Sequence, residues 1–91
     1  MIYVDALTGC LAHNNWNYTR FCHLMADCEL ELIEFAVLIG CKREWLQHSR
    51  AGVPHFDLTT RMRDKAKKHG AIEIDRRKMT AFMKKYQKEP K

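Results

Sequence analysis

Ninety-one residues predict one domain with a thin hydrophobic core. No apolar run approaches the roughly 18 residues that cross a bilayer, and the first residues lack the basic and apolar regions of a signal peptide. We therefore expect a cytoplasmic protein with no membrane partner. The formal net charge of +5 hides a strong polarity, because residues 1–41 carry one basic and five acidic residues, whereas residues 42–91 carry fifteen basic and six acidic ones.

The N-terminal half predicts two strands and a helix. Residues 2–4 are short, apolar and β-prone, which predicts a strand ending at Asp5. A loop rich in Gly, Asn and Thr follows at residues 8–17 and contains Trp16, and residues 18–25 predict a second strand. A helix is predicted over 28–39, with Asp27 as its N-cap and Gly40 just beyond its end. Its apolar stripe follows the i, i+3, i+4, i+7 spacing: Leu32, Phe35, Ala36 and Ile39.

The C-terminal half predicts two helices and two short extended pieces. Residues 48–54 form a connector, 55–58 an extended segment, and 71–75 a half-buried strand. A helix is predicted from 59 to just before Gly70, with one side formed by Leu58, Met62, Ala66 and His69. The last helix spans 76–86 with the stripe Met79, Phe82, Met83 and Tyr86. The expected fold is mixed α/β (α+β): a small sheet of three or four strands packed by three helices. We expect one domain over 1–86 and a polar tail at 87–91; a homodimer would add buried apolar area.

The cysteines predict thiols rather than disulfides or a zinc site. They are Cys10, Cys22, Cys28 and Cys41, and no two of them form a Cys-x-x-Cys pair. A disulfide framework is typical of secreted chains, and this one carries no export signal. We expect reduced cysteines, of which Cys10 is the most exposed.

Several uncommon residues stand at fixed spacings that resemble a known family. They are Tyr3-Val4-Asp5, Trp16-x-x-x-Arg20-Phe21-Cys22-His23-Leu24-x-Ala26-Asp27, Glu31-Leu32, Phe35-Ala36, Gly40, Trp45-x-Gln47, His55-Phe56-Asp57-Leu58-Thr59, Arg63-x-x-Ala66 and Gly70-Ala71. Over residues 3–75 the chain resembles the short bacterial and phage proteins catalogued as domain of unknown function 4031. It departs from them at Ala6, where the family often has a second acid, at Met62, where Lys is usual, and at His69, where an apolar residue is usual. If that second acid is a metal ligand, metal chemistry is weakened here.

Polar residues at the ends of the strand-like pieces form the candidate site. Ligands of open α/β sheets gather at strand ends beside helix N-termini, so we expect these residues to converge. The catalytic candidates are His23, Asp27, His55 and Asp57, and the ligand-binding candidates are Arg20, Arg63, Trp16, Trp45 and Gln47.

Three interpretations of this cluster stay open. The two histidines and two aspartates could ligate a divalent metal, although their spacing matches no well-known motif. Alternatively, His23 or His55 could be a general base, with Arg20 and Arg63 holding a phosphate. The cluster could also be structural, with the aspartates capping helices. We predict no resident cofactor.

Basic residues give the leading expectation for function. Arg61, Lys65 and Lys68 form a ridge on the second predicted helix, and Arg76, Arg77 and Lys78 occupy the first turn of the last. Such clusters suit nucleic acid or a nucleotide phosphate, so we expect an anion-binding module of bacterial or phage origin. The alternatives are a metal- or His-dependent enzyme acting on a phosphorylated substrate, a phage-encoded inhibitor of a host protein, or a solvated basic surface with no partner.

Overall fold

The structure is a computed structural model that describes residues 1–9, 20–49 and 52–88. Its strands are β1 (Ile2–Val4), β2 (Thr8–Gly9), β3 (Arg20–Ala26), β4 (Gln47–His48), β5 (Pro54–Leu58) and β6 (Ile72–Glu73). Its helices are α1 (Glu29–Leu38), α2 (Thr60–Lys68) and α3 (Arg76–Lys88), with a single 3-10 turn at Arg43–Trp45. Cys10, Trp16 and the predicted strand start at Tyr18 lie outside the described residues.

A mixed sheet organises the domain and confirms the α+β class with three helices. Five strands follow the order β4-β5-β3-β1-β6, and β2 pairs with the beginning of β3. The pairs of β3 with β1 and β5, and of β4 with β5, are antiparallel, whereas β6 runs parallel to β1. The predicted count of three or four strands is too low, because the two-residue strands β2 and β4 are too short to show alternation in the sequence.

Side chains alternate along each strand, so successive residues lie on opposite faces of the sheet. On one face, Leu24 and Phe56 belong to the main core, which α1 and α2 cover with Leu32 and Ala66 among others. On the other face, Met25 and Val53 belong to a smaller cluster with Met79, Phe82 and Tyr86 of α3. We call these the α1/α2 face and the α3 face. The sheet therefore lies between two helical layers.

The helix ends agree with the sequence predictions except at the start of α1. Gly40 follows the helix with φ of 104°, as a residue at C′ requires. The prediction of Asp27 as the N-cap is wrong: Sγ of Cys28 accepts the N–H of Glu31 at 3.5 Å. The Asp27 carboxylate instead accepts hydrogen bonds from the Met1 amine at 3.0 Å and the Tyr3 hydroxyl at 3.1 Å. The pairing of β1 with β3 brings these donors to Asp27, and no local pattern reveals that.

The later elements need three smaller corrections. His69 is exposed, so the apolar side of α2 ends at Ala66, and the buried Arg63 lies beside it. The predicted half-buried strand is the short β6, whose two residues are both exposed. Helix α3 continues to Lys88, two residues into the predicted tail. Within the described ranges, no helix is long and apolar enough to span a membrane.

Candidate functional site

Three adjacent strands bring Asp5, His23 and Asp57 into one row on the α3 face. His23 of β3 is the register partner of Asp57 in β5. On its other side, Asp5 directly follows β1, and its N–H donates to the carbonyl of His23 at 3.4 Å. His55 stands two residues before Asp57 in the same strand and therefore on the same face. The expected convergence of these residues is found, although it lies on a sheet face rather than at strand ends beside helix N-termini.

Asp5 holds both the main chain and the ring of His23. Its Oδ1 accepts the backbone N–H of His23 at 2.7 Å, and its Oδ2 accepts Nδ1–H of the ring at 2.8 Å. Nε of the buried Arg63 donates to the backbone carbonyl of Asp5 at 3.0 Å. With its carboxylate and its main chain both bonded, Asp5 fixes the orientation and tautomer of the imidazole.

The same contacts set the charge state of His23. The hydrogen bond that the imidazole donates to Asp5 raises the pKa of His23 above its ordinary value of 6.5, and burial acts against this rise. The His23 side chain keeps 33% of its surface exposed, whereas Asp5 keeps 13%. The imidazole can therefore meet a ligand while its partner is covered.

Three polar atoms that have no hydrogen-bond partner among the described residues lie close together: Oδ1 of Asp57, Nε2 of His23 and Nε2 of His55. Oδ1 of Asp57 lies 3.9 Å from Nε2 of His23 and 3.9 Å from Nε2 of His55. These distances are too long for direct hydrogen bonds and leave room for a bridging water or substrate hydroxyl. The centroids of the two imidazole rings are 5.5 Å apart, at an interplanar angle of 76°.

The remaining polar atoms of the site already have partners. Oδ2 of Asp57 accepts Nε2–H of Gln47 at 3.0 Å, which leaves only Oδ1 directed at the histidines. Nδ1 of His55 lies 3.2 Å from the carbonyl of Val53, and because a carbonyl only accepts, that nitrogen donates. The neutral ring of His55 therefore has its lone pair on Nε2. Phe21 packs edge-on against His23, with the centroids 5.3 Å apart.

Other predicted site residues do not join this cluster. Asp27 stands four residues beyond His23, about 13 Å along an extended strand, and binds Met1 and Tyr3. Arg20 is exposed, and the alternation of β3 directs it to the face opposite His23. Trp45 is 49% exposed on the 3-10 turn, with Nζ of Lys42 5.9 Å from its ring centroid. Trp16 lies outside the described residues.

Arg63 contacts Asp5 and Glu73. Besides its bond to the Asp5 carbonyl, the guanidinium donates to Oε2 of Glu73 at 2.6 Å, and Lys67 lies 3.0 Å from the other oxygen of that carboxylate. These two cations hold the pKa of Glu73 below its usual range. In this structure Arg63 therefore positions Asp5 and pairs with Glu73, and its role in holding a ligand stays a prediction.

The sequence missed the role of Asp5, although it placed this residue at a strand end. Asp5 is the first charged residue after an apolar strand, and that was the available signal. Its partner lies 18 residues away, so only the strand pairing reveals the contact. Glu73, the partner of Arg63, carried no signal beyond the charge of its side chain.

The free thiols lie away from this site. Cys22, Cys28 and Cys41 are free, as expected, and the first and last are buried. Burial, with smaller contributions from Asp5 and Asp57, raises the pKa of the Cys22 thiol to about 12. Cys22 also points to the α1/α2 face, so its sulfur is neither ionised nor directed at His23.

The basic clusters belong to two helical layers. Arg61, Lys65 and Lys68 are exposed on α2, and Arg76, Arg77 and Lys78 are exposed at the start of α3, on the other side of the sheet. Among the described residues, none of these six side chains forms an ion pair. Asp75 caps α3 by accepting the N–H of Lys78 at 2.8 Å.

Comparisons with known proteins give a family and no activity. Among the described residues, no group of three or more His, Cys, Asp or Glu side chains is arranged to hold a metal ion. No curated protein and no solved structure matches the chain. A family model with the description "Protein of unknown function (DUF4031)" matches residues 2–86.

Proposed function

We propose that this chain, which belongs to the DUF4031 family, is an enzyme that uses His23 as its general acid–base group. The observation that carries the proposal is the Asp5–His23 pair at 2.8 Å, together with Nε2 of the imidazole, which has no hydrogen-bond partner among the described residues and lies 3.9 Å from Oδ1 of Asp57. Here one nitrogen is fixed and the other stays available at a partly exposed surface.

The arrangement suits the activation of a water or a substrate hydroxyl. Neutral His23 accepts the proton of the water or hydroxyl at Nε2, and the oxygen forms a bond to the electrophilic atom of the substrate. The bond from that atom to the leaving group then breaks, and the imidazolium gives the proton to the departing group. Asp5 stabilises the imidazolium in between. Oδ1 of Asp57 and Nε2 of His55 are the polar atoms that could orient the attacking oxygen.

The nucleophile in this proposal comes from water or from the substrate. The nearest thiol by sequence, Cys22, is buried and protonated, with its pKa raised to about 12. Covalent catalysis needs an ionised or base-activated nucleophile beside the histidine. Cys22 meets neither condition.

A phosphorylated substrate is the narrower form of the proposal. The carboxylates of Asp5 and Asp57 oppose an anion, and Arg63 is occupied by Glu73. A phosphate would therefore rely on the protonated form of His23, whose pKa is raised by its hydrogen bond to Asp5, so phosphate binding should weaken as pH rises. An uncharged ester would lack that dependence.

Turnover of simple substrates tests both forms. The purified chain is assayed with nitrophenyl phosphate, bis-nitrophenyl phosphate, nitrophenyl acetate and single-stranded RNA, with and without a chelator. We expect turnover of at least one of them to persist in the chelator and to fall about a hundredfold or more in His23→Gln. His69→Gln, which changes an exposed histidine on α2, is the control and should keep full activity. Absence of turnover with all four, or equal rates in His23→Gln and the parent chain, would contradict the enzyme proposal.

A second proposed function is polyanion binding by the basic half. It is supported by the six exposed basic side chains without ion pairs among the described residues: Arg61, Lys65, Lys68, Arg76, Arg77 and Lys78. Four to six phosphate contacts should give a slope of log affinity against log salt of about −3 to −5. Because the two clusters lie on different layers, reversal of the α3 cluster to Glu should remove only part of that slope. A shallow slope, or no binding of DNA, RNA or nucleotides at low salt, would leave a host-protein partner as the remaining proposal for the basic face.

A further inference from the structure

The candidate site needs positive charge from another element if its substrate is an anion. The carboxylates of Asp5 and Asp57 lie beside the histidines, and the guanidinium of Arg63 is bonded to Glu73. His23 contributes a positive charge only in its protonated form. An anionic substrate therefore requires cations that reach the site from a neighbouring segment of the fold.

Helix α3 begins at the end of the sheet that carries the site. β6 runs parallel to β1, and the N–H of Ile74, directly after β6, donates to the carbonyl of Val4 at 2.8 Å. Asp5 follows Val4, and α3 starts at Arg76, two residues after Ile74. The side chains with which α3 packs on the sheet lie on the α3 face, which also carries His23. The first turn of α3 and the Asp5–His23 pair therefore share one face and one end of the sheet.

The cations of α3 match a polymer of phosphates better than a single phosphate. The helix contains no acidic residue, and five of its cations are exposed and form no ion pair within the described part of the chain: Arg76, Arg77, Lys78, Lys84 and Lys85. Arg77 and Lys84 lie on the same side of the helix, about 10 Å apart along its axis. One phosphate cannot contact both side-chain positions, whereas successive phosphates of a polymer can.

The two imidazoles fit the chemistry of RNA cleavage. Oδ1 of Asp57 lies 3.9 Å from Nε2 of both His23 and His55, so the two nitrogens are at most twice that distance apart. In an in-line displacement at phosphorus, the attacking and leaving oxygens are on opposite sides, and one imidazole cannot reach both. Two nitrogens at this separation can each bond one oxygen at about 2.8 Å. RNA carries its own attacking oxygen, the 2′-hydroxyl, which in an unpaired strand can align opposite the leaving oxygen.

We propose that the substrate of this site is single-stranded RNA, which α3 binds by its phosphates and which the two histidines cleave through the 2′-hydroxyl. Neutral His23 takes the proton of that hydroxyl at Nε2, and the 2′-oxygen forms a bond to phosphorus. The bond from phosphorus to the 5′-oxygen breaks, and the imidazolium of His55 gives its Nε2 proton to that oxygen. The products are a 2′,3′-cyclic phosphate and a 5′-hydroxyl, and both imidazoles recover their protonation states by exchange with water. The inference rests on the proposed acid–base role of His23 and names its substrate.

Oligonucleotides with defined sugars test the substrate class. We compare short RNA, DNA of the same sequence, and DNA with one ribonucleotide of each base in turn, all in a chelator. We expect the RNA to be cleaved, the mixed strand to be cleaved only directly after its ribonucleotide, and the DNA to stay intact. Mass spectrometry should identify the cyclic phosphate at the new 3′ end.

Two results would overturn this substrate assignment. One is cleavage of the DNA, or RNA products that carry a linear phosphate from the first time point. The other is turnover of a nitrophenyl ester that depends on His23 while all RNA stays intact; the acid–base proposal would then stand without this substrate. Loss of all turnover would contradict both proposals.

The leaving group separates the roles of the two histidines. Nucleoside 3′-nitrophenyl phosphates carry the 2′-hydroxyl, but nitrophenolate departs without a proton. We expect His55→Gln to slow RNA cleavage about a hundredfold and the nitrophenyl reaction less than about tenfold, whereas His23→Gln should slow both about a hundredfold. Circular dichroism checks that the variants are folded. Equal losses on the two substrates in His55→Gln would overturn its role as the acid.

The second half of α3 tests the binding of the polymer. Lys84 and Lys85 lie about 10 Å beyond the first turn, so they should contact neighbouring phosphates and not the reacting one. Lys84→Gln/Lys85→Gln should raise KM for RNA about tenfold, keep kcat within about twofold, and leave the nitrophenyl nucleotides unaffected. Lys42→Gln/Arg43→Gln removes the same charge from exposed residues that follow α1 and should change none of these values. Equal effects of the two pairs would overturn the assignment to α3.

Discussion

The two faces of the sheet receive side chains from the same strands, but these side chains differ in burial and in chemistry. On the α1/α2 face, β3 contributes Cys22 and Leu24, which are fully buried. On the α3 face, the same strand contributes His23, which is one-third exposed and bonded to Asp5. A step of one residue thus separates an inert, protonated thiol from a positioned imidazole. The strand therefore buries all its inward side chains on the α1/α2 face, whereas on the α3 face it buries Met25 but leaves His23 partly exposed.

The largest expected difference between the faces comes from neighbouring residues of β5. Phe56→Ala should lower the free energy of unfolding by about 3–5 kcal/mol, because it removes a fully buried ring from the main core. His55→Gln should cost less than about 1 kcal/mol, since the side chain is smaller and its bonded partner is a single carbonyl. Urea denaturation with a common slope measures both values. Similar losses for the two variants would show that the α3 face is as structural as its opposite.

The reactivity of the cysteine thiols tests whether the α1/α2 face is closed to solvent. With a pKa of about 12, only about one Cys22 thiol in ten thousand is ionised at pH 8, and the residue is also buried. Cys41, with its pKa raised to about 11, should behave similarly. Exposed Cys28 should react with iodoacetamide at once in the native protein, as read by peptide mass spectrometry. Rapid labelling of Cys22 without denaturant would contradict the packing of the α1/α2 face.

The pH dependence of activity tests whether His23, on the α3 face, is the general base. A general base must be neutral, so the rate should rise with pH through the pKa of His23, at a value above 6.5. Asp5→Asn removes the negative charge of the hydrogen-bond acceptor that raises this pKa, and its amide NH2 can only donate. It should move the rising limb to lower pH and also lower the plateau, because the imidazole loses its fixed tautomer. An unmoved limb in Asp5→Asn would assign the titration to another group.

The smallest expected effect is the pH dependence of the stability that His23 contributes, and the raised pKa of His23 fixes its sign. The folded-state pKa of His23 is raised, so folding favours the imidazolium, and this stabilisation is fully present below pH 6.5. It is lost as pH rises through the folded-state pKa. The difference in melting temperature between the parent chain and His23→Gln should therefore shrink from pH 6 to pH 9 (a range chosen about the ordinary pKa). A difference that grows with pH would contradict the charge state assigned to the Asp5–His23 pair.

Local patterns in the sequence determined most of the helical structure. The stripes of α1 and α3 and the glycine at position 40 involve contacts within a few residues, so a short window contains the information. The three longer strands β1, β3 and β5 were also predicted, each from its β-prone or apolar residues. The sequence also determined that the two halves of the chain carry opposite net charge, because the net charge of a segment follows from its residue types alone.

Only the tertiary structure decided which polar residues work together. Asp5 and His23 are 18 residues apart, and Arg63 and Asp5 are 58 apart, so strand register and helix docking alone bring them into contact. Asp27, Arg20 and Arg63 had the residue types of a site, yet register or alternation directs each of them elsewhere. A sequence gives the chemical groups and their local periodicity. Whether two distant groups come into contact depends on how the strands pair and the helices dock, and the free energy that stabilises this arrangement comes from the whole core.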